Sequence, residues 1–209
     1  VLDGEAATAF AATRPPGHHA SADRAMGFCL FNNAALAAKR ARERGIRRVL
    51  IVDWDVHHGN GTQDIFLQDP DVYVLSLHQS PHYPGTGAAA ERGVGAGTGT
   101  SRNVTLPPGL PAADYRRAFH DALSATLDEF APEFIIVSAG FDCLAGDPLG
   151  NQNLEPADLH ALTRTLLDAT ASTARGRLAA VLEGGYHPPR LGAGAVAMLR
   201  ALADLPPQG

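Results

Sequence analysis

The sequence predicts an α/β protein built on a central, mostly parallel sheet. Short apolar runs alternate with longer segments of helical period, and the runs are hydrophobic on both faces, as strands buried in a parallel sheet are. A third observation fits. Twenty-two glycines and 15 prolines among 209 residues exceed the usual share of about 12%, and many directly follow the apolar runs, which implies shaped loops at the strand ends.

Residues 9–13 read as a short strand, stopped by Pro15, Pro16 and Gly17. Residues 33–44 are alanine-rich, open on asparagine, close on basic residues and stop at Gly45, the marks of a helix. Residues 48–53 form a strand apolar on both faces, 61–67 a short helix and 72–77 another buried strand. Residues 79–102 are rich in glycine, proline and serine; a loop of that length is uncommon unless functional. A short strand is expected at 103–106, a strong helix at 112–130, a buried strand at 134–138 and a helix at 156–174. A strand at 178–182 and a final helix at 189–203 complete the chain.

Apolar residues make up 45% and charged residues 19%, a normal globular balance that argues against disorder. The length suits one domain over residues 1–209 that buries a core without staples. A net charge of −5 carries no electrostatic footprint for nucleic acid. The densest basic stretch, Lys39, Arg40, Arg42, Arg44, Arg47 and Arg48, reads as a solvated helix face with cations at its C-terminal end. Two cysteines make no disulfide framework and fit a reducing compartment, hence the cytoplasm. No apolar run reaches the roughly 18 residues of a membrane span, and Asp3 and Glu5 do not open a signal peptide.

In open parallel sheets, ligands bind beyond the carboxyl ends of the strands. There the sequence places Arg14 to His19, Asp53 to Asn60, His78, Asp142 and Tyr186. In an extended segment, residues two apart share a face, so Asp55 and His57 present an oxygen and a nitrogen to one cation. Asp142 is the candidate third ligand, which leaves a fourth position for water. His18 and His19 in isolation read as solvated loop histidines. Beside a metal they read as acid/base groups, with Asp53 and Asn60 available to orient them. Tyr186, after Gly184 and Gly185, is either a core tyrosine or a phenol aimed into a cavity as an oxyanion donor. Nucleotide-binding glycine loops, a nucleophile elbow and C-x-x-C are absent.

Taken in order, Arg14-Pro-Pro-Gly-His-His-Ala20, Gly27-Phe-Cys-Leu-Phe-Asn-Asn33 and Asp53-Trp-Asp-Val-His-His-Gly-Asn-Gly61 are followed by Tyr83-Pro-Gly-Thr-Gly87 and Ser138-Ala-Gly-Phe-Asp142. Gly146-Asp-Pro148 and Glu183-Gly-Gly-Tyr186 complete the series. Together they resemble the zinc-dependent histone deacetylase family, which includes bacterial deacetylases and acetylpolyamine amidohydrolases. The segment from Phe28 to Asn33, with Asn60 and Leu149, is more similar to its class II branch. The resemblance implies an arginase-like three-layer fold. It implies zinc at Asp55, His57 and Asp142, with His19 as the acid/base, His18 oriented by Asp53, and Tyr186 as the oxyanion donor. Asn60 stands where many members have aspartate. Gly27, Phe28, Tyr83 and Leu149 are implied as walls of a channel for the lysine stem, Tyr83 replacing the more usual phenylalanine. A structural potassium ion is implied at Asp53, Asp55, His57, Ser76 and Leu77, partly through backbone oxygens.

Family members carry further residues, including edge strands, before the first motif. The chain therefore reads as a catalytic domain short at its N-terminus, either a fragment or a naturally shortened protein. Loss of those strands favours association, so a homo-oligomer is one expectation. The leading function is removal of acetyl groups from lysine side chains in proteins or peptides. An amidohydrolase acting on acetylpolyamines or other small acetylated amines is the first alternative, although Leu149 stands where polyamine enzymes place glutamate. An inactive, truncated metal-binding homologue is the second. A two-manganese ureohydrolase is disfavoured, because this chain offers His58 and Asn60 in place of a further carboxylate.

Overall fold

The computed structural model describes residues 1–208. Six strands, β1 (Thr8–Ala11), β2 (Val49–Asp53), β3 (Val72–Gln79), β4 (Ser101–Leu106), β5 (Phe134–Ala139) and β6 (Leu178–Leu182), form one sheet of order β1-β6-β5-β2-β3-β4. Every pairing in it is parallel. Four helices connect them, α1 (Asn33–Glu43), α2 (Asn60–Phe66), α3 (Ala112–Glu129) and α4 (Pro156–Ala174), and α5 (Pro188–Leu202) follows β6.

The double-sided apolar strands dictate the layers. Leu50, Val52, Leu75, Ile135 and Val137 face one way and pack with Phe119 of α3, Leu162 of α4 and Met198 of α5. Ile51, Val74 and Ile136 face the other way and pack with Ala34 and Ala38 of α1 and Phe66 of α2. Small alanines on α1 let that helix lie close to the sheet. Asn32 caps it, its side chain accepting from the Ala35 N–H at 2.9 Å. Glu155 and Asp158 form a reciprocal capping box at the start of α4.

The expected elements are all present, with α4 and β6 at the expected bounds. The largest difference lies in the third loop. β3 runs on to Gln79 and β4 begins at Ser101, so the loop is shorter than 79–102 and holds a 3₁₀ turn at Gly95–Gly97. β4 is an edge strand that buries Ser101 and Asn103 on its inner face, so its first half lacks the apolar signature of a strand. The basic stretch is solvent-exposed as expected, apart from the half-buried Arg42, and it is paired with acids. Arg42 bridges Asp69 and Asp71 at 3.2 and 2.8 Å, Arg44 pairs with Asp3, and Arg47 with Glu133.

Sequence order reverses between β5 and β2. From that switch point, chain order runs outward through β3 and β4 on one side and through β6 on the other. Crevices form at the carboxyl ends of strands at such points. Register carries Asp53 to this edge, level with Ser76 of β3 and Ser138 of β5.

Candidate active site

Three buried side chains from two strand ends converge here. Asp55 and His57 follow β2, and Asp142 follows β5; their ligand atoms all lie within 4.8 Å of one another. The surroundings fix each carboxylate. Asp55 Oδ1 accepts from the His57 N–H at 2.9 Å, and its Oδ2 from the Gly184 N–H at 2.8 Å. Asp142 Oδ1 accepts from the Val56 N–H at 2.9 Å. Asp142 Oδ2 is fully buried with no hydrogen-bond partner. His57 Nδ1 points at both acids, 3.0 Å from Asp55 and 3.2 Å from Asp142. Two buried carboxylates, one with a bare oxygen, and an imidazole nitrogen aimed between them form a donor set that fits a divalent cation. Burial pulls the His57 imidazole down, but the adjacent Asp142 and Asp55 carboxylates outweigh that and raise it to about 10. Burial pushes Asp142 up to about 7, with the Asp55 charge adding to it.

The two adjacent histidines occupy different environments. His18 Nδ1 lies 2.9 Å from Asp53 Oδ2, which fixes it as the donor. His18 is buried, which disfavours charge, yet the Asp55 and Asp53 carboxylates raise it well above an ordinary histidine. His19 Nδ1 donates to Asn60 Oδ1 at 2.8 Å, a neutral partner. Burial, helped by the His18 charge, lowers His19 to about 3, so it stays neutral with Nε2 free to accept. The rings are 4.1 Å apart.

A cavity of about 610 Å³ opens above this cluster, lined by His19, Gly27, Phe28, His57, His82, Tyr83, Pro148, Leu149, Gly150, Asn151 and Tyr186. All four expected channel residues are among them. Phe28 sits at φ 66°, a left-handed conformation unusual for a bulky residue, and is 69% exposed. Its ring meets Tyr186 edge-on at 6.0 Å. Burial raises the Tyr186 phenol above its ordinary value, so it remains a donor. Ser76 and Leu77 lie on β3 beside Asp53, away from the cavity wall. His78 Nε2 donates to the Gly87 carbonyl, so its Nδ1 accepts from Ser76 at 2.9 Å and leaves lone pairs free on the serine oxygen.

Three further residues stand out that carried no assignment in the sequence. Glu183, at the end of β6, is fully buried. It accepts from the Gly17 and His18 N–H groups at 2.6 and 3.0 Å and from the Ser138 hydroxyl at 3.0 Å, holding the histidine loop. Asp147 accepts from the Tyr186 and Leu149 N–H groups at 2.7 and 2.9 Å, tying the phenol to the cavity rim. A carboxylate directly after a buried strand is a readable signal for the first, and its place in an ordered motif for the second. His82 stacks on His57 at 4.8 Å and 15°, and donates to the Leu149 carbonyl at 2.9 Å. Nothing in its loop sequence marks it.

Comparison with known proteins agrees with this arrangement. The family model described as "Histone deacetylase domain" matches residues 1–202. Histone deacetylase 15 of Arabidopsis thaliana is 44% identical over 212 residues, covering all of this chain and 38% of that protein. A histone deacetylase-like amidohydrolase of Pseudomonas aeruginosa is 45% identical over 188 residues, covering 89% of this chain and 50% of that protein. The crystal structure of the HDA15 HD domain superposes with a TM-score of 0.91 at 45% identity, over 97% of this chain and 59% of that one. The chain thus spans half or less of the length of these two curated relatives. With a family model over nearly all its residues and the same three-layer fold, the chain belongs to the histone deacetylase domain family.

Proposed function

We propose that the chain carries a zinc-dependent deacetylase site that removes acetyl groups from lysine side chains of proteins or peptides. The observation that carries this reading is the bare, buried Asp142 Oδ2 facing Asp55 and His57 below an apolar cavity walled by His19 and Tyr186. Asp55, His57 and Asp142 would hold the zinc, which when bound would polarise the amide carbonyl and lower the pKa of the attacking water. His19 Nε2, free and neutral, accepts the water proton and returns it to the leaving ε-amine as the amide C–N bond breaks. His18 and Asp53 hold a positive charge behind it. Tyr186 donates to the carbonyl oxygen as charge develops there. Phe28 and Tyr83 flank the aliphatic stem.

A potassium ion among Asp53, Asp55, His57, Ser76 and Leu77 is part of the proposal, supported by the free lone pairs of the Ser76 hydroxyl. Two free, buried thiols support a cytoplasmic setting. No helix among the described residues is long and apolar enough to cross a membrane. The cavity lining contains no carboxylate among the described residues, which favours a neutral acyl-lysine stem over a polycation.

The test is direct. Purified protein is expected to bind about one zinc ion per chain, in the tetrahedral mode of catalytic sites, and to release acetate from an acetyl-lysine peptide. Asp142→Ala is expected to lose the zinc and the activity together. Wild-type turnover in Asp142→Ala would exclude this site.

A further inference from the structure

Behind the cavity wall lies a second, partly buried polar network, and the buried Gln63 of α2 is its hub. Its Oε1 accepts from Asn103 Nδ2 of β4 at 2.7 Å and from His58 Nε2 at 3.1 Å. Its Nε2 donates to Glu91 Oε2 at 2.7 Å. These partners settle both the amide orientation and the histidine tautomer. His58 Nδ1 is then an acceptor, and the Thr86 hydroxyl donates to it at 2.8 Å.

Glu91 carries the network into the loop that bears Tyr83. Its carboxylate accepts from the Gly87 N–H at 3.2 Å and the Ala88 N–H at 3.0 Å. From the other side, His78 Nε2 donates to the Gly87 carbonyl at 3.0 Å. Gly87 is gripped through both its backbone groups. Its φ is 85°, and a Cβ there would come within 2.6 Å of the His58 and His78 rings. Four residues earlier, Tyr83 meets His19 edge-on at 5.1 Å and His57 at 6.1 Å. Tyr83 is 46% exposed, so its backbone, rather than a packed shell, determines where its ring stands.

We propose that Glu91, acting with Gln63, is a positioning residue for substrate binding: it clamps the loop at Gly87 and Ala88 so that Tyr83 walls the cavity beside His19 and the metal-facing His57. The proposal rests on the acyl-lysine reading above. Neither residue lines the cavity, so the effect belongs to substrate binding more than to the chemical step.

The test uses zinc-loaded protein, an acetyl-lysine peptide and amide hydrogen exchange. Glu91→Ala and Gln63→Ala are each expected to raise KM about tenfold with kcat held within about twofold. Because the two act in series, the double variant should be no worse than the weaker single. Both carboxylate oxygens of Glu91 accept, so Glu91→Gln, which keeps one acceptor and sets an NH2 against a donor at Gln63 or at the loop, should recover only part of the KM. The Gly87 and Ala88 amides should exchange faster in Glu91→Ala than in wild type. An unchanged KM despite faster exchange overturns the proposal, and so does additive loss in the double variant or loss of zinc in the singles. A wild type that leaves the peptide intact overturns the acyl-lysine reading instead. In that case the exchange measurement still decides the clamp: equal exchange at Gly87 and Ala88 in wild type and Glu91→Ala overturns it.

Discussion

Tyr186 contributes one hydroxyl to the cavity wall, and substitution by phenylalanine removes that group alone. Its backbone N–H is held by Asp147 and its ring packs edge-on with Phe28, so Tyr186→Phe keeps the ring in place. If the phenol is the oxyanion donor, kcat should fall about 10²–10³-fold, the range for losing one such donor, with zinc content unchanged. Steady-state kinetics beside metal analysis distinguishes this from collapse of the site. A loss below tenfold would remove Tyr186 from the chemistry. At this scale the sequence was readable wherever chemistry repeats at short spacing. Asp55 and His57 alternate directly after β2, in a segment that bends rather than staying extended, and His18 and His19 are adjacent. His82 was not readable, because its position depends on stacking across two loops that no local pattern records. Glu183 was visible as a residue, but its bonds to Gly17 and His18 span 165 or more positions.

Among the elements, the segment after β6 shows how closely backbone must approach the carboxylates. Gly184 donates its N–H to Asp55, and a Cβ at Gly184 would lie 2.2 Å from Asp142 Oδ2 and 2.6 Å from Asp55 Oδ2. No side chain occupies that space without displacing a proposed ligand. Gly184→Ala should therefore lose zinc binding while keeping its far-ultraviolet circular dichroism. Full zinc occupancy in that variant would show that the carboxylates can move aside.

β3 and β4 carry the other element-scale consequence. His78 on β3 is buried, and burial together with the neighbouring His58 lowers it to about 4. Its folded value lies below that of an exposed histidine, so the unfolded chain takes up the proton first as pH falls. The contribution to stability is complete above about pH 6.5 and is lost as pH drops toward 4, on the order of 3 kcal/mol in all. Thermal melts at pH 7 and pH 5 should show a smaller loss in His78→Gln than in wild type. Equal losses would assign the acid sensitivity to other groups. The same pair of strands explains where sequence reading stopped. β3 is apolar on both faces and declared itself over most of its length. β4 alternates the buried polar Ser101 and Asn103 with the half-buried Arg102 and Val104 at the edge, and its first half was indistinguishable from loop.

For the whole molecule, the alternation of double-sided strands with helices was enough to predict a parallel α/β sheet, while strand order depended on contacts that periodicity does not encode. That order matters because it sets the ends of β2, β5 and β6 side by side and brings Asp55, Asp142 and the Gly184 N–H into one buried cluster. Two carboxylates packed this closely are costly without a cation, and a cation that binds only the folded chain stabilises that chain by mass action. Free zinc at about 100 times its dissociation constant should add about 2.7 kcal/mol. For a chain of this size that corresponds to a rise in Tm of about 5–10 °C over chelator-treated protein. Asp142→Ala should show none of the rise. A wild type whose Tm is indifferent to zinc would mean that the cluster is balanced by protons instead, and the metal site would have to be abandoned.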